Sequence, residues 1–591
     1  MGLFKSLKKR IKDHQKTLAV SSEQQGFFVL LGFMVLLAYI FQFVFLWIFS
    51  LIIYLTQIGN PVTGGQSDEP LYIGTARSMM THNHWMVPIF HHQLAFYKPP
   101  FLYWMMITAF KLFGDTLFSA RFPAALCGAF LVLVIALLGN ELAYGLGKEW
   151  ANKQMRGEGK IGITAGWIAA TTIPGIYAFS RAAMMDIPMI FFITLSVYLA
   201  CLFIRKGNPV FLILSLTSLG ISTNFKGPVS FLIGIFPILY LLYSSGKIHV
   251  LWEKTGAAAF AGCLFFSFLW PLGAALHGDG MEWLKFFIIN QNFGKFTSHL
   301  DPTTHYISGS VIWISLLSQF MPWSFFFLAA VVWFVLKKEA RSSGVIFLFV
   351  WIATVLVIFL LPAKKLSDYT LPAIPAQALL SALFLEMNLN SVLSEAAFYL
   401  TGIVYAVTGF FLFFLTRISQ GSFEFFLILF AALSFLSAGF FLFRKKLLQA
   451  LYLTAFFLFL YAFGLPRLMS SLDFNRLKKA MDHKPLYVYH FDAAILGSAI
   501  GRPIIPLKKP MLPASALKAS PLLILPKSDV IAFERKGILL SSPLLTWIRW
   551  KDHIRILDIL QGILSSNPKI IQEKIIFAAA EQKNARTDIK K

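Results

Sequence analysis

GFFVLLGFMVLLAYIFQFVFLWIFSLIIYLTQ, residues 26–57, contains no Asp, Glu, Lys, Arg or His. A helix of about 20 apolar residues crosses roughly 30 Å of hydrocarbon, so this run spans a bilayer with length to spare. Runs of the same character recur near 118–140, 161–179, 187–204, 209–223, 228–244, 257–277, 309–336, 343–362, 370–386, 396–416, 422–443 and 448–466, which predicts thirteen spans in all. The bulk composition agrees: 57% of the residues are hydrophobic, 14% are charged and 62 are Phe, where a soluble protein carries about 25% charged residues. Disorder, collagen, coiled coil and a fully soluble enzyme are excluded, and the expected fold class is mainly α, a polytopic membrane protein. Cys127, Cys201 and Cys263 all lie inside apolar runs and read as small buried hydrophobes, not as a disulfide framework.

The formal net charge is +24. Its placement does not suit nucleic acid, because the Lys and Arg residues sit in short connections and in the tail with no basic groove between aromatic rings. Anionic membrane lipids and phosphate-bearing substrates are the expected partners. One alternate set of connections holds Lys5–Lys16, Lys148/Lys153/Arg156/Lys160, Arg205/Lys206, Lys247/Lys254, Lys337/Lys338/Arg341 and Arg444/Lys445/Lys446. The opposite set is poorer in basic residues, which places the N-terminus in the cytoplasm; thirteen spans then put the C-terminus outside. Residues 1–25 read as a cytoplasmic juxtamembrane segment, with Leu3, Phe4, Leu7 and Ile11 on one helical face among lysines, although a solvated basic tail fits equally well. A cleaved signal peptide fits poorly, because the apolar run that follows is too long. Residues 26–466 form the transmembrane domain. Residues 467–591, with 21 Lys/Arg against 10 Asp/Glu, form a small extracytoplasmic α/β domain. Strands are expected there at Leu486–Tyr489, Ile504–Leu507, Leu522–Leu525 and Leu545–Trp550, with helices near 491–501 and 528–536.

The sparse charges of the outer face carry the functional signal. They are Asp68, Glu69, Arg77, Lys98, Arg181, Asp186, Lys226, Lys285, Lys295, Asp301, Lys364, Lys365 and Asp368. Acids and bases collect at the ends of apolar spans on one side of the membrane, where ionisable groups are expensive and a functional site is the default reading. The loop 58–117 is densest, with Asp68-Glu69-Pro-Leu-Tyr72, Arg77, His82, His84, His91, His92 and Lys98-Pro-Pro. The acid pair has a plain rival as a helix N-cap and first-turn acid. The four histidines match no compact zinc spacing, and a divalent metal is left open as cofactor.

Several of these stretches together resemble a family. Asp68-Glu69-Pro-Leu-Tyr72, His84-Trp-Met-Val-Pro88, Phe-Tyr97-Lys98-Pro-Pro-Phe-Leu-Tyr-Trp and Ser-Ala-Arg121-Phe-Pro are followed in order by Ser180-Arg181 with Asp186-Ile-Pro188 and by Lys226-Gly-Pro228. Asn290-Gln-Asn292-Phe-Gly-Lys295-Phe, His305-Tyr306 and Lys364-Lys365-Leu-Ser-Asp-Tyr369-Thr-Leu-Pro complete the series. The pattern is similar to that of the aminoarabinose-transferase and protein O-mannosyltransferase superfamily, membrane glycosyltransferases of the GT-C fold grouped as family 39. It departs at Tyr97, where the aminoarabinose branch often has Glu, and at Lys295, which replaces an Arg.

The resemblance implies a GT-C-like architecture and a sugar carried on a polyprenyl phosphate, such as undecaprenyl phosphate, at the outer face of the cell inner membrane. It implies Asp68 with Glu69 as the catalytic acids, and Lys98, Arg181, Lys226 and Lys365 as holders of the donor phosphate. Tyr72, Arg77, Asp186, Asn292, His305, Tyr306 and Tyr369 become substrate-binding candidates. The acceptor would be a lipid, lipid A-like, or a protein hydroxyl. Residue chemistry supports the scheme independently. A phosphodiester leaves with its own negative charge, so it needs cations more than a general acid, and a carboxylate opposite takes the acceptor's proton as it attacks C1 with inversion. The alternative is a polytopic secondary transporter or lipid flippase, which would place ionisable groups near the bilayer midplane in two related repeats.

Overall fold

The computed structural model describes residues 22–60, 68–90, 93–94, 98–149, 160–277, 280–289, 308–337, 341–363, 365–416 and 422–469, and in the C-terminal part 486–489, 505–507, 509–513, 521–536, 538–540, 545–550 and 572–582. The amphipathic reading of 1–20, the candidates Asn292, His305 and Tyr306, and the helix expected at 491–501 lie outside the described residues.

The chain is mainly helical. In order come α1 (Ser22–Leu55), α2 (Glu69–His82), α3 (Phe101–Phe113), α4 (Leu117–Glu149), α5 (Lys160–Ala170), α6 (Asp186–Lys206), α7 (Pro209–Lys226), α8 (Pro228–Ser244), α9 (Lys254–Ala275), α10 (Gly280–Phe286), α11 (Ser310–Ser318), α12 (Ser324–Leu336), α13 (Ser343–Leu360), α14 (Ile374–Asn388), α15 (Val392–Leu415), α16 (Ser422–Phe443) and α17 (Leu447–Met469). Among the described residues, seven helical stretches are long and apolar enough to cross a membrane unaided: 117–143, 186–206, 254–275, 343–360, 367–388, 392–414 and 425–443. An eighth is the bent pair 160–170 and 173–180, which turns by 59° at a π-helical turn over Ile173–Tyr177 that contains Pro174. The segment 309–336 differs from its expected form as one straight span. Residues between Ser318 and Ser324 break it into α11 and α12, and Pro322, having no amide hydrogen, cannot continue the helix.

Packing follows from small residues and from polar groups satisfied between helices. Serines close α6 on α7 reciprocally: Ser196 Oγ donates to the Ser215 carbonyl at 2.7 Å and Ser215 Oγ to the Ser196 carbonyl at 2.8 Å. A Cβ at Gly162 of α5 would stand 2.2 Å from the Ala136 carbonyl oxygen of α4, so these backbones touch directly. Large side chains such as Trp167, Trp323 and Trp351 fill the core. Leu30, Phe33 and Phe41 of α1, Phe265 and Phe268 of α9, and Val407 and Phe410 of α15 are exposed, forming the apolar surface that lipid would cover.

A two-residue hairpin, β1 (Ile89–Phe90) with β2 (Gln93–Leu94), sits in the first outer loop. The C-terminal strands are β3 (Leu486–Tyr489), β4 (Ile505–Leu507), β5 (Leu522–Pro526), β6 (Ile538–Leu540), β7 (Leu545–Trp550) and β8 (Gln572–Gln582). They pair in the order β4-β3-β5-β8-β6, with β7 also on β8. Parallel β3, β4 and β5 meet antiparallel β8. The uninterrupted apolar run of β5 is buried throughout, as a strand covered on both faces requires. A short helix occupies Val530–Glu534, inside the stretch expected to be helical.

Candidate active site

Asp68 and Glu69 are adjacent, yet they do opposite things. Glu69, the first residue of α2, is fully buried. Its oxygens accept from Arg121 Nε at 2.7 Å and Nη2 at 2.8 Å, and from the Ala183 backbone N–H at 2.7 Å. Arg121, on α4 and equally buried, also donates Nη1 to the carbonyls of Ile58 at 2.9 Å and Asn60 at 2.8 Å. This knot ties the chain after α1, the start of α2, the start of α4 and the loop before α6. A buried carboxylate so fully engaged is a scaffold group. Asp68, one residue earlier, stands at the N-cap position, but its side chain does not cap the helix and is exposed. Tyr72 Oη donates to Asp68 Oδ2 at 3.4 Å. Burial, then Tyr103 and the nearby carboxylates Asp68, Asp186 and Asp368, push the Tyr72 phenol well above its ordinary value, so it keeps its proton and remains a donor.

Opposite Asp68 lies a knot of charge built from three helix ends. Asp186 begins α6 and Lys226 ends α7, each at the terminus where the helix dipole favours its sign. Gly227, at φ 82° and ψ −158°, then lets the chain turn straight into α8. Asn224 Nδ2, donating to the Phe266 carbonyl of α9 at 2.8 Å, anchors the last turn of α7. Lys226 Nζ lies 2.5 Å from Asp186 Oδ1 and 3.2 Å from Asp368 Oδ2. Asp186 is 1% exposed, and its Oδ2 has no hydrogen-bond partner among the described residues. Lys98, half-buried just before α3, completes the group. Burial first, then the like charge of Lys226, lower its ammonium to about 8, against the pull of Asp186, Asp368 and Asp68. Three carboxylates and two ammonium groups thus share one mouth, with Tyr72 and Tyr103 packed 6.1 Å apart between ring centroids at its edge.

The other sequence candidates, Tyr369 apart, are engaged with partners of their own. Arg181 is 2% exposed; its Nη1 donates to the carbonyls of Ile53 at 2.8 Å and Tyr54 at 3.2 Å, and its guanidinium lies 5.3 Å from the Tyr177 ring centre. It braces the end of α1. Arg77 forms a two-pronged pair with Asp115 at 2.7 and 3.0 Å, tying α2 to the turn before α4. Lys365 is buried and donates to the Pro362 carbonyl at 2.6 Å. Tyr369 joins the mouth's edge, stacked on Phe359 with ring centroids 4.6 Å apart. His82 is exposed and its Nδ1 bonds the Ser78 carbonyl within its own helix; His91 and His92 lie outside the described residues. Among the described residues no three His, Cys, Asp or Glu side chains gather as a metal set would require. Tyr103 is a mouth residue the sequence did not single out, and Asp368 stood there among the outer-face charges without an assigned role. Their signal was position: each sits inside a motif that carries a chosen residue, Tyr103 five after Lys98 and Asp368 one before Tyr369.

Residues 97–272, which contain Lys98, Arg121, Asp186 and Lys226, match the model of the dolichyl-phosphate-mannose-protein mannosyltransferase family. Over that stretch the chain is similar to this family. It is 25% identical over 330 residues to the undecaprenyl phosphate-alpha-4-amino-4-deoxy-L-arabinose arabinosyl transferase of Pseudomonas aeruginosa, covering 53% of this chain and 54% of that one. The match therefore spans about half of that relative's length. An uncharacterized protein of Aquifex aeolicus is 25% identical over 359 residues, 61% of this chain and 67% of that one. In fold, the chain is similar to the crystal structure of ArnT from Cupriavidus metallidurans bound to undecaprenyl phosphate, with a TM-score of 0.60, 15% identity, and 90% of this chain and 98% of that one covered.

Proposed function

We propose that the chain transfers a sugar from a polyprenyl-phosphate donor to a lipid acceptor at the extracytoplasmic face of a bacterial inner membrane. The carrying observation is the shared mouth of exposed Asp68 with Lys98 and Lys226. Lys98 holds the donor phosphate as a point charge. Asp68 accepts the proton of the acceptor hydroxyl as its oxygen attacks C1. The C1–O bond to phosphate breaks as the new glycosidic bond forms, and polyprenyl phosphate departs with the bonding pair. The sugar inverts. If the acceptor is an ionised phosphate, no proton is moved and Asp68 positions the donor sugar instead. Glu69 keeps the peptide that bears Asp68 in place, and Asp186 and Tyr369 shape the pocket for substrate. The relatives' printed activity supports undecaprenyl phosphate as carrier and an amino-pentose as cargo; the lipid A-like acceptor follows from the family resemblance of the sequence. Thirteen crossings, a cytoplasmic N-terminus and a periplasmic C-terminal domain belong to the same reading. The described ionisable groups of the mouth stand at helix ends, not at the midplane that a transporter site would use.

The test is Asp68→Asn in purified membranes supplied with labelled polyprenyl-phosphate sugar and lipid A. Loss of a positioned base costs on the order of 10²–10⁴ in turnover; transfer at the wild-type rate would remove Asp68 from the mechanism.

A further inference from the structure

The reaction proposed above creates a charge problem at its end. The donor is a phosphodiester with one negative charge, whereas the polyprenyl phosphate released is a monoester carrying about −1.5 to −2 at neutral pH. A site whose lysines grip the donor grips the product harder. In this chain Lys226 is not an unopposed cation: Asp186 and Asp368 both hold it, at 2.5 and 3.2 Å. The two acids differ in setting. Asp186 is 1% exposed at the root of α6, and Asp368 is 16% exposed in the first turn of the 3-10 helix Ser367–Ala373 at the mouth. The turn has anchors of its own, the stack of Tyr369 on Phe359 and the Thr370 hydroxyl bonded to the Ser367 carbonyl at 3.4 Å. One carboxylate, the buried one, already compensates the lysine; the second is surplus to structure.

We propose that Asp368 is a positioning residue for product release, competing with the monoester phosphate for Lys226 and returning the ammonium to its two carboxylates as polyprenyl phosphate leaves. This inference rests on the polyprenyl-phosphate reading above. Asp368 acts through Lys226 and touches no reacting atom. The donor, with less charge, is less affected by the competition than the product, so the acid separates the two ligands by charge alone.

The experiment uses the full chain in detergent or nanodiscs, with a short-chain polyprenyl monophosphate as the probe. Removing a partly exposed opposing charge, as in Asp368→Asn, is expected to tighten monophosphate binding about fivefold. Product inhibition strengthens in proportion. Steady-state kcat falls while the single-turnover rate is kept, so a burst appears. Asp368→Glu restores wild-type release, and Asp368→Ser serves as a second neutral variant should the amide not fold. Monophosphate affinity that is equal or weaker in both neutral variants overturns the role of Asp368 alone. Wild-type protein that binds no polyprenyl monophosphate overturns the parent reading, and this one with it.

Discussion

At the scale of single residues, Lys98 makes the sharpest prediction. Burial and the neighbouring Lys226 lower its ammonium to about 8 from an ordinary 10.5, so it is charged below that value and loses its charge as pH rises through it. Phosphate binding needs the charge, so kcat/KM for the donor is expected to fall above about pH 8. Stability moves the other way. Between about 8 and 10.5 the unfolded chain binds the proton and the folded chain does not, so this group stabilises the fold progressively as pH rises across that interval. Lost activity with an undiminished melting temperature separates titration from unfolding. Lys98→Arg keeps its charge throughout, and its pH–rate profile, whatever its height, is expected to lack the fall near 8. Lys98, Asp186 and Lys226 were legible in the sequence because each is an isolated charge where an apolar run begins or ends. Arg77 and Arg181 look the same by that criterion, but guanidinium groups also serve to satisfy carbonyls and carboxylates, and only the fold reveals that Arg181 faces Ile53 and Tyr54.

Among elements, the knot of Glu69 with Arg121 fixes where α2 starts relative to α4. Adjacent residues entering a helix point about 100° apart, so Asp68-Glu69 must send one carboxylate inward and one outward; the sequence does not say which. Removing one partner of a buried ion pair costs about 3–5 kcal/mol, so Glu69→Gln and Arg121→Met are each expected to lower the melting temperature of the solubilised protein sharply. Asp68→Asn, changing an exposed group, is expected to leave it in place. Equal melting of all three would deny Glu69 its scaffold role. Gly227 is a second such point. Its backbone lies in a region open essentially to glycine alone, so Gly227→Ala stores about 1–3 kcal/mol of strain and relieves it by moving Lys226. Donor KM in that variant is expected to rise more than kcat falls. Helix locations were readable from hydropathy, whereas the break between α11 and α12 was not, since hydropathy stays high across Phe320–Trp323; its signal in the sequence was Pro322.

The whole molecule is tested by sidedness. Counting crossings from hydropathy alone is fragile, because an error of one span inverts everything after it. The ion pairs give an independent constraint. Lys226 meets Asp186 and Asp368 within 3.2 Å, so the start of α6, the end of α7 and the turn before α14 share one face whatever the count between them. The knot of Glu69 with Arg121 and Ala183 adds the starts of α2 and α4 to that face. On the opposite end, Arg205 pairs with Glu141 and Lys247 bonds the Ile204 carbonyl at 2.9 Å, drawing together the ends of α4 and α6 with the connection after α8. The second set carries the basic loops and the first does not, so the distribution of positive charge predicts that the first is extracytoplasmic. Single cysteines at Asp68, Ser367 and Lys206, each in a background lacking Cys127, Cys201 and Cys263, are expected to divide accordingly. A membrane-impermeant thiol reagent applied to intact cells should label the first two and spare the third until the membrane is opened. Labelling of Asp68→Cys without Ser367→Cys would mean that the two acids never share a mouth. The transfer chemistry built on their proximity would then fall with the topology.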